Sequence, residues 1–260
     1  MNSHARFEIV APADPRISAV AFDPQAHATF KRLFERPQLE PFANEVLRYA
    51  EYCLLFTNES SQRITALTLV WEYPHPTLRG PGGNVSRSDS YYFGDNSAGV
   101  VPPRSQALIY PKRTIPAAGL EFDNYVFMSS ENRRNGLRDI DMMREAPLVT
   151  ANLDTVIFED GQVLGSDESR TVEFITNRKK AANNFVALIR RAQQDGINLD
   201  EELAKLQARE TGNSREDSYG FWLQTFCRQL QRSPDRDISL MQYADLPQLP
   251  WISDSSRTSE

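Results

Sequence analysis

The sequence predicts an α+β chain in which an antiparallel β-sandwich is followed by an α-helical C-terminal subdomain. Three observations lead there. Large apolar residues Leu67, Leu69 and Trp71 alternate with Thr68, Val70 and Glu72, and a second apolar run covers Leu148–Glu159. Asp160-Gly161 then supplies a tight turn, read as type I′, with a brief return strand through Leu164. After Gly165 the apolar period changes from 2 to 3.6.

Taken in order, Arg6–Val10 and Ile17–Phe22 read as short strands separated by Pro12 and Pro15. Residues 24–45 are punctuated by proline, with helical turns expected around Thr29–Glu35. Leu47–Thr57 and Ile64–Tyr73, rich in β-branched and aromatic residues, are expected as strands joined by the polar turn 58–63. Residues 74–104 read as a long loop with one short strand around Ser90–Phe93. Ala107–Tyr110 is a strand ended by Pro111, and Leu120–Met128 is another. Residues 129–147 are polar, with a short helix expected over Gly136–Arg144.

Seven or eight strands with no helix between consecutive ones exclude a parallel α/β sheet and predict an immunoglobulin-like sandwich. The expected core is Leu55, Leu67, Leu69, Trp71, Phe122, Val156 and Phe158.

Beyond Gly165, Ser166 or Asp167 is placed to cap a helix whose stripe is Val172, Ile175, Ala182, Phe185, Val186 and Ile189. A short helix starting at Asn198 or Asp200 follows. A third, Ser214–Arg232, carries Tyr219, Trp222, Leu223, Phe226, Cys227 and Leu230 on one side. The two long stripes are expected to pack together, because neither is suited to water. The boundaries read as 1–165 for the sandwich, 166–250 for the helices and 251–260 for a disordered tail.

Composition narrows the function classes. The net charge of -6 argues against nucleic acid as a partner, since phosphate binding needs a concentrated basic face. No apolar run approaches the ~20 residues of a membrane span. The N-terminus shows no signal-peptide pattern, which fits a cytoplasmic chain or one already trimmed to a periplasmic or extracellular form. Cys53 and Cys227 sit among apolar neighbours and read as buried free thiols. Arginine outnumbers lysine 24 to 5, with the residues scattered along the chain.

No chemistry assembles along the chain. His4, His27 and His75 have no metal-ligand spacing, so no metal or cofactor is expected. The Gly-rich RGPGGNVS lacks the Lys-Ser/Thr of a phosphate loop. Asp154, Glu159, Asp160, Asp167 and Glu168 form an acidic run, but each has a local turn, cap or first-turn role. Arg178-Lys179-Lys180 and Arg190-Arg191 read as the solvated face of the long helix. Asn58-Glu-Ser60 and Asn84-Val-Ser86 match glycosylation sequons. Adjacent Tyr91, Tyr92 and Phe93 cannot all be buried on one strand face, which makes them the candidate binding loop.

The segments TNESSQRITALTLVWE, IYPKRTIPAAGLEF and NLDTVIFEDGQVLG before a long helix resemble a group of uncharacterised bacterial proteins. Those proteins carry an immunoglobulin-like β-sandwich with a C-terminal helical extension, and the resemblance covers roughly residues 47–195. It implies a fold and an envelope setting, and brings no activity. The functional expectation is a non-enzymatic module for protein–protein interaction or ligand binding. Two alternatives stand beside it: a hydrolase or carbohydrate binder using the 74–104 loop, and an assembly subunit dimerising through its C-terminal helices.

Overall fold

The computed structural model describes residues 6–23, 28–36, 39–74, 81–90, 100–117, 140–208 and 217–244. They form two compact units. The first holds the strands and ends at Ser166, and the second begins at Asp167.

The first unit is built from β1 (Arg6–Val10), β2 (Ile17–Ala21), α1 (Lys31–Glu35), α2 (Glu40–Arg48), β3 (Leu54–Asn58), β4 (Ile64–Pro74), β5 (Pro81–Asp89), β6 (Gln106–Tyr110), β7 (Arg113–Pro116), α3 (140–145), β8 (Leu148–Phe158) and β9 (Val163–Leu164). One sheet has the order β1-β8-β4-β5, with β9 also on β8; the other runs β2-β3-β6-β7. Only β1 with β8 is parallel; the other described pairs are antiparallel. The chain is therefore α+β with two largely antiparallel sheets.

Both sheets feed one hydrophobic cluster. Leu67, Leu69, Trp71, Val156 and Phe158 enter it from the first sheet, Leu54, Leu55, Phe56, Leu108 and Ile109 from the second. The expected core residues are buried as read, apart from Phe122, which lies outside the described residues. Phe30, Leu33, Ala43 and Val46 add the α1–α2 excursion to the same cluster.

Several expectations are corrected. Leu47–Thr57 is not one strand: α2 runs to Arg48, a 3-10 turn covers Ala50–Tyr52, and β3 begins at Leu54. Proline in the first turn starts α2, and its inward residues Ala43 and Val46 follow helical spacing while Leu47 stays 51% exposed. The aromatic residues Tyr49 and Tyr52 belong to the turn that ends the helix and are buried there. Two helices stand between consecutive strands β2 and β3: α1 falls on the helical turns expected around Thr29–Glu35, whereas α2 was not expected.

The loop 74–104 contains a full strand, β5, paired residue by residue with β4 from Ala66↔Asp89 to Pro74↔Pro81. Its sequence, PGGNVSRSD, carries little β propensity, so the pairing comes from the partner strand. β7 returns from β6 over Arg113–Pro116, another strand missed by reading Pro111 as a stop. Ser90–Phe93 and Leu120–Met128 lie outside the described residues except for Ser90, which is a bend.

The second unit packs α4 (Thr171–Gln194), α5 (Leu199–Gln207), α6 (Ser218–Arg232) and α7 (Arg236–Ala244). Its cluster joins Phe185, Val186 and Ile189 of α4 to Trp222, Phe226, Cys227 and Leu230 of α6, with Leu203, Leu206, Leu240 and Tyr243. The expected pairing of the two stripes is thus made within the chain. Val172 is half-buried and Ile175 buried, and neither belongs to this cluster. Arg178 is not on a solvated face: it is buried with its guanidinium 4.9 Å from the Trp222 ring centre.

Helix α4 starts later than expected. Gly165, Asp167 and Arg170 all take positive φ (95°, 50° and 57°), which no helix tolerates in sequence. Asp167 still caps it from a distance, its carboxylate accepting the Thr171 N–H at 2.7 Å. Asn198 caps α5 through the Asp200 N–H at 2.9 Å, and Asp217 caps α6 through Gly220 at 2.8 Å. Helix α7 was not expected; Asp235 accepts the Ile238 N–H at 3.0 Å and starts it directly after Pro234. The expected tail 251–260 lies outside the described residues. Among the described residues no helix is long and apolar enough to cross a membrane.

Candidate functional site: the polar pole of the β unit

Strand direction puts four connections at one end of the β unit. β3 finishes there at Asn58, β4 begins at Ile64, β6 begins at Gln106 and β8 ends at Phe158. The loops 11–16, 59–63, 102–105 and 159–162 therefore share that end. The opposite end meets α2, where the Tyr110 hydroxyl donates to Glu45 Oε2 at 2.9 Å.

The 59–63 loop is organised by Asn58, whose side chain is buried. Its amide nitrogen donates to the carbonyls of Gln62 (2.8 Å), Val101 (3.2 Å) and Pro102 (3.0 Å). Its oxygen accepts from the Ser60 N–H at 3.0 Å and hydroxyl at 2.7 Å. One carboxamide thus fastens two loops, which a buried polar group must do to offset its desolvation.

The other loops are joined by charge. Arg16 grips Asp14 bidentately, with Nε and Nη2 each at 2.9 Å, and reaches Gln162 Oε1 through Nη1 at 2.6 Å. Its guanidinium lies 4.5 Å from the Phe158 ring centre. Arg63 pairs with Glu159 at 2.7 Å, and Gln62 Nε2 donates to Asp160 at 2.8 Å. Hydrogen bonding to Arg16 holds the Asp14 carboxyl below the usual carboxylate range, and Arg63 does the same for Glu159.

The turn 159–162 differs from its reading. Gly161 has φ 87°, while Asp160 is not among the described positive-φ residues. Gly161 N–H donates to Phe158 O, and Phe158 N–H to Gln162 O, both at 3.0 Å. This is a type I turn closed by a left-handed glycine, not type I′. Asp160 keeps negative φ because its carboxylate caps the Gln162 N–H at 3.0 Å.

What this pole presents to solvent is Ala11, Ala13 and Pro15 beside Glu59, Ser61, Pro103, Arg104 and Asp160. Arg104 holds a left-handed φ of 55°, with its N–H donating to Ser60 O at 3.3 Å. A mixed-charge surface on a cross-linked base is suited to recognition by complementary hydrogen bonds and charges.

The remaining sequence candidates fall elsewhere. Tyr91, Tyr92 and Phe93 lie outside the described residues, as do all three histidines. The Gly-rich segment from Pro81 onward is strand β5. Asp154 is buried, accepting from Thr155 Oγ1 at 2.8 Å and Ser166 Oγ at 3.1 Å. Among the described residues no group of three or more His, Cys, Asp or Glu is placed to hold a metal ion. Burial pushes the Cys53 and Cys227 thiols up in pKa, and Cys53 donates to the Tyr49 carbonyl at 3.2 Å. The Asn58 sequon is closed to modification by burial, and Asn84 donates its amide to Pro111 O at 2.6 Å.

Sequence reasoning missed the pole because its partners are distant in the chain: Arg16 and Gln162 are 146 residues apart. The one available signal was the polar 58–63 turn, read only as a connection. Comparison with known protein families, with curated proteins and with solved structures finds no match to the chain.

Proposed function

We propose that this chain is a recognition module built on an immunoglobulin-like sandwich, with the polar pole as its contact surface for another protein. The observation that carries this is the cross-linking of four loops into one surface through Asn58, Arg16, Arg63 and Gln62. The polar side chains there are spent on holding loops rather than left converging on a reacting atom, which favours binding over catalysis.

Strand grouping supports the immunoglobulin-like part, while β7 departs from that fold's chain order, flanking β6 as strand D flanks E but following it in the sequence. β2, β3 and β6 are neighbours in one sheet and β5, β4, β8 and β9 in the other, the grouping of strands A, B, E and C′, C, F, G in that fold. Trp71 sits buried on β4, the strand that carries the core tryptophan in such domains. In that correspondence 59–63 and 159–162 are the B–C and F–G connections, which form recognition loops in variable domains. The resemblance to bacterial sandwich proteins with a helical extension belongs to the same proposal. Dimerisation through the C-terminal helices loses its motive, since the α4 and α6 stripes cover each other.

A photo-reactive amino acid at exposed Ser61 or Pro103, with exposed Arg190 on α4 as control, tests this in extract of the native host. Protein adducts from the two pole positions and none from position 190 are expected. Adducts from position 190 alone would move the contact surface off the pole.

A further inference from the structure

Strand β2 pairs with β3 and, among the described residues, with no other strand. Its sequence is ISAVA: no charge, no proline, and an unbroken register from Ile17↔Asn58 to Ala21↔Leu54. Val20 is 52% exposed, and Ser18 and Ala21 are exposed as well. Edge strands are normally blunted by lysine, proline, a bulge or a covering element, because a bare edge pairs with another chain.

The phase of the free edge follows from two bonds. Phe22 N–H donates to Cys53 O at 2.9 Å, and Glu59 N–H to Arg16 O at 2.7 Å. Antiparallel ladders alternate, so the even-numbered residues of β2 turn their backbone groups to β3. Ile17, Ala19 and Ala21 turn theirs outward. The Ile17 N–H is already taken by Asp14 O at 3.3 Å, which leaves its carbonyl and both groups of Ala19 and Ala21.

We infer that β2 is a homodimerisation edge, pairing antiparallel with β2 of a second copy about a two-fold axis at Ala19. In that register Ala19 meets its own counterpart as a hydrogen-bonded pair, and each Ala21 N–H donates to the other copy's Ile17 carbonyl. The Ile17 N–H, already spent on the Asp14 carbonyl, does not return the bond, so each Ala21 carbonyl stays in water at the rim of the pairing. Each exposed Val20 comes opposite Ser18 of the other copy in a non-hydrogen-bonded pair, where side chains stand closest. Alanine at the axis leaves room for close approach, and a two-fold pairing is isologous, using one patch twice. Charges also agree: Arg16 comes opposite Phe22 of the other copy with Asp23 beside it, and no like charges face each other. The result joins two four-stranded sheets edge to edge.

Sedimentation velocity over a concentration series tests this on the full chain, beside Ala19→Pro and Val20→Lys. Proline at 19 removes an outward N–H and leaves the β3 ladder whole; lysine at 20 puts like charge at the edge from a site that is already half in water. A concentration-dependent dimer in the wild type that becomes monomer in both variants, with unchanged circular dichroism and Tm, is expected. A wild type that stays monomeric up to its solubility limit overturns the inference. So does a dimer that survives Val20→Lys in folded protein.

Discussion

Asn58 is the residue on which the pole depends most. Replacing it with alanine removes five hydrogen bonds: those to the carbonyls of Gln62, Val101 and Pro102, which keep Ser60 Oγ, the Ile64 N–H and Ser105 Oγ as donors, and those from the Ser60 hydroxyl and N–H, of which the N–H loses its acceptor. Each intramolecular hydrogen bond lost costs on the order of 1 kcal/mol net, and more at the one buried donor left without an acceptor. We expect Asn58→Ala to lose about 3 kcal/mol, measured by urea unfolding; a loss below about 1 kcal/mol would mean that the 59–63 loop is held some other way. Asp14 and Glu159 set the acid limit of the same surface. Carboxylates depressed in the folded state stabilise it above their ordinary pKa and lose that contribution as pH falls through the folded value. Tm is therefore expected to hold at neutral pH and to drop below about pH 4, and the Asp14→Asn, Glu159→Gln double variant to drop less on acidification from its own neutral-pH value. An equal acid slope in both proteins would deny these two pairs their role.

At the level of elements, Gly165 and Gly196 look alike in sequence and differ in place. Both have positive φ, 95° and 71°. A Cβ on Gly165 would stand 2.0 Å from the Asp154 carbonyl oxygen, whereas one on Gly196 meets nothing within 4 Å. Gly196→Ala is expected to cost about 1 kcal/mol of backbone strain alone, and Gly165→Ala clearly more, because main chain at the close approach must shift. Thermal unfolding of the pair decides it; equal costs would refute the close approach. The change of period at Gly165 was legible for the reason that it is local: a period-2 run, a DG turn and a 3.6-period run follow one another. The long strands β4 and β8 and the stripes of α4 and α6 were legible on the same terms. α2 was not, because the aromatic residues that follow it imitate a strand, and β5 was not, because its pairing is imposed by β4. The candidate site was the least legible, since Arg16, Gln62 and Gln162 converge only after three connections have been folded.

In the whole molecule each unit carries its own hydrophobic cluster, one centred on Trp71 and Phe158, the other on Phe185, Trp222 and Phe226. Truncating Phe226, which is buried against Phe185, Trp222 and Tyr243, is expected to cost about 3–5 kcal/mol in the helical unit. Near-ultraviolet circular dichroism, with tryptophans in both units, follows that loss. The account of function rests on a different property, the rigidity of four exposed loops. Hydrogen exchange reads it directly at amides bonded across or within the pole: Arg16 to Asp14, Glu59 to Arg16 O, Gln62 to Ser60, Arg104 to Ser60 O, Glu159 to Arg63 O and Gln162 to Asp160. A pre-assembled recognition surface predicts that these amides exchange as slowly as those of β3 and β4, in spite of their place at the end of the sheets. Exchange at the rate of open chain would contradict it, and with it the claim that the pole is a built surface.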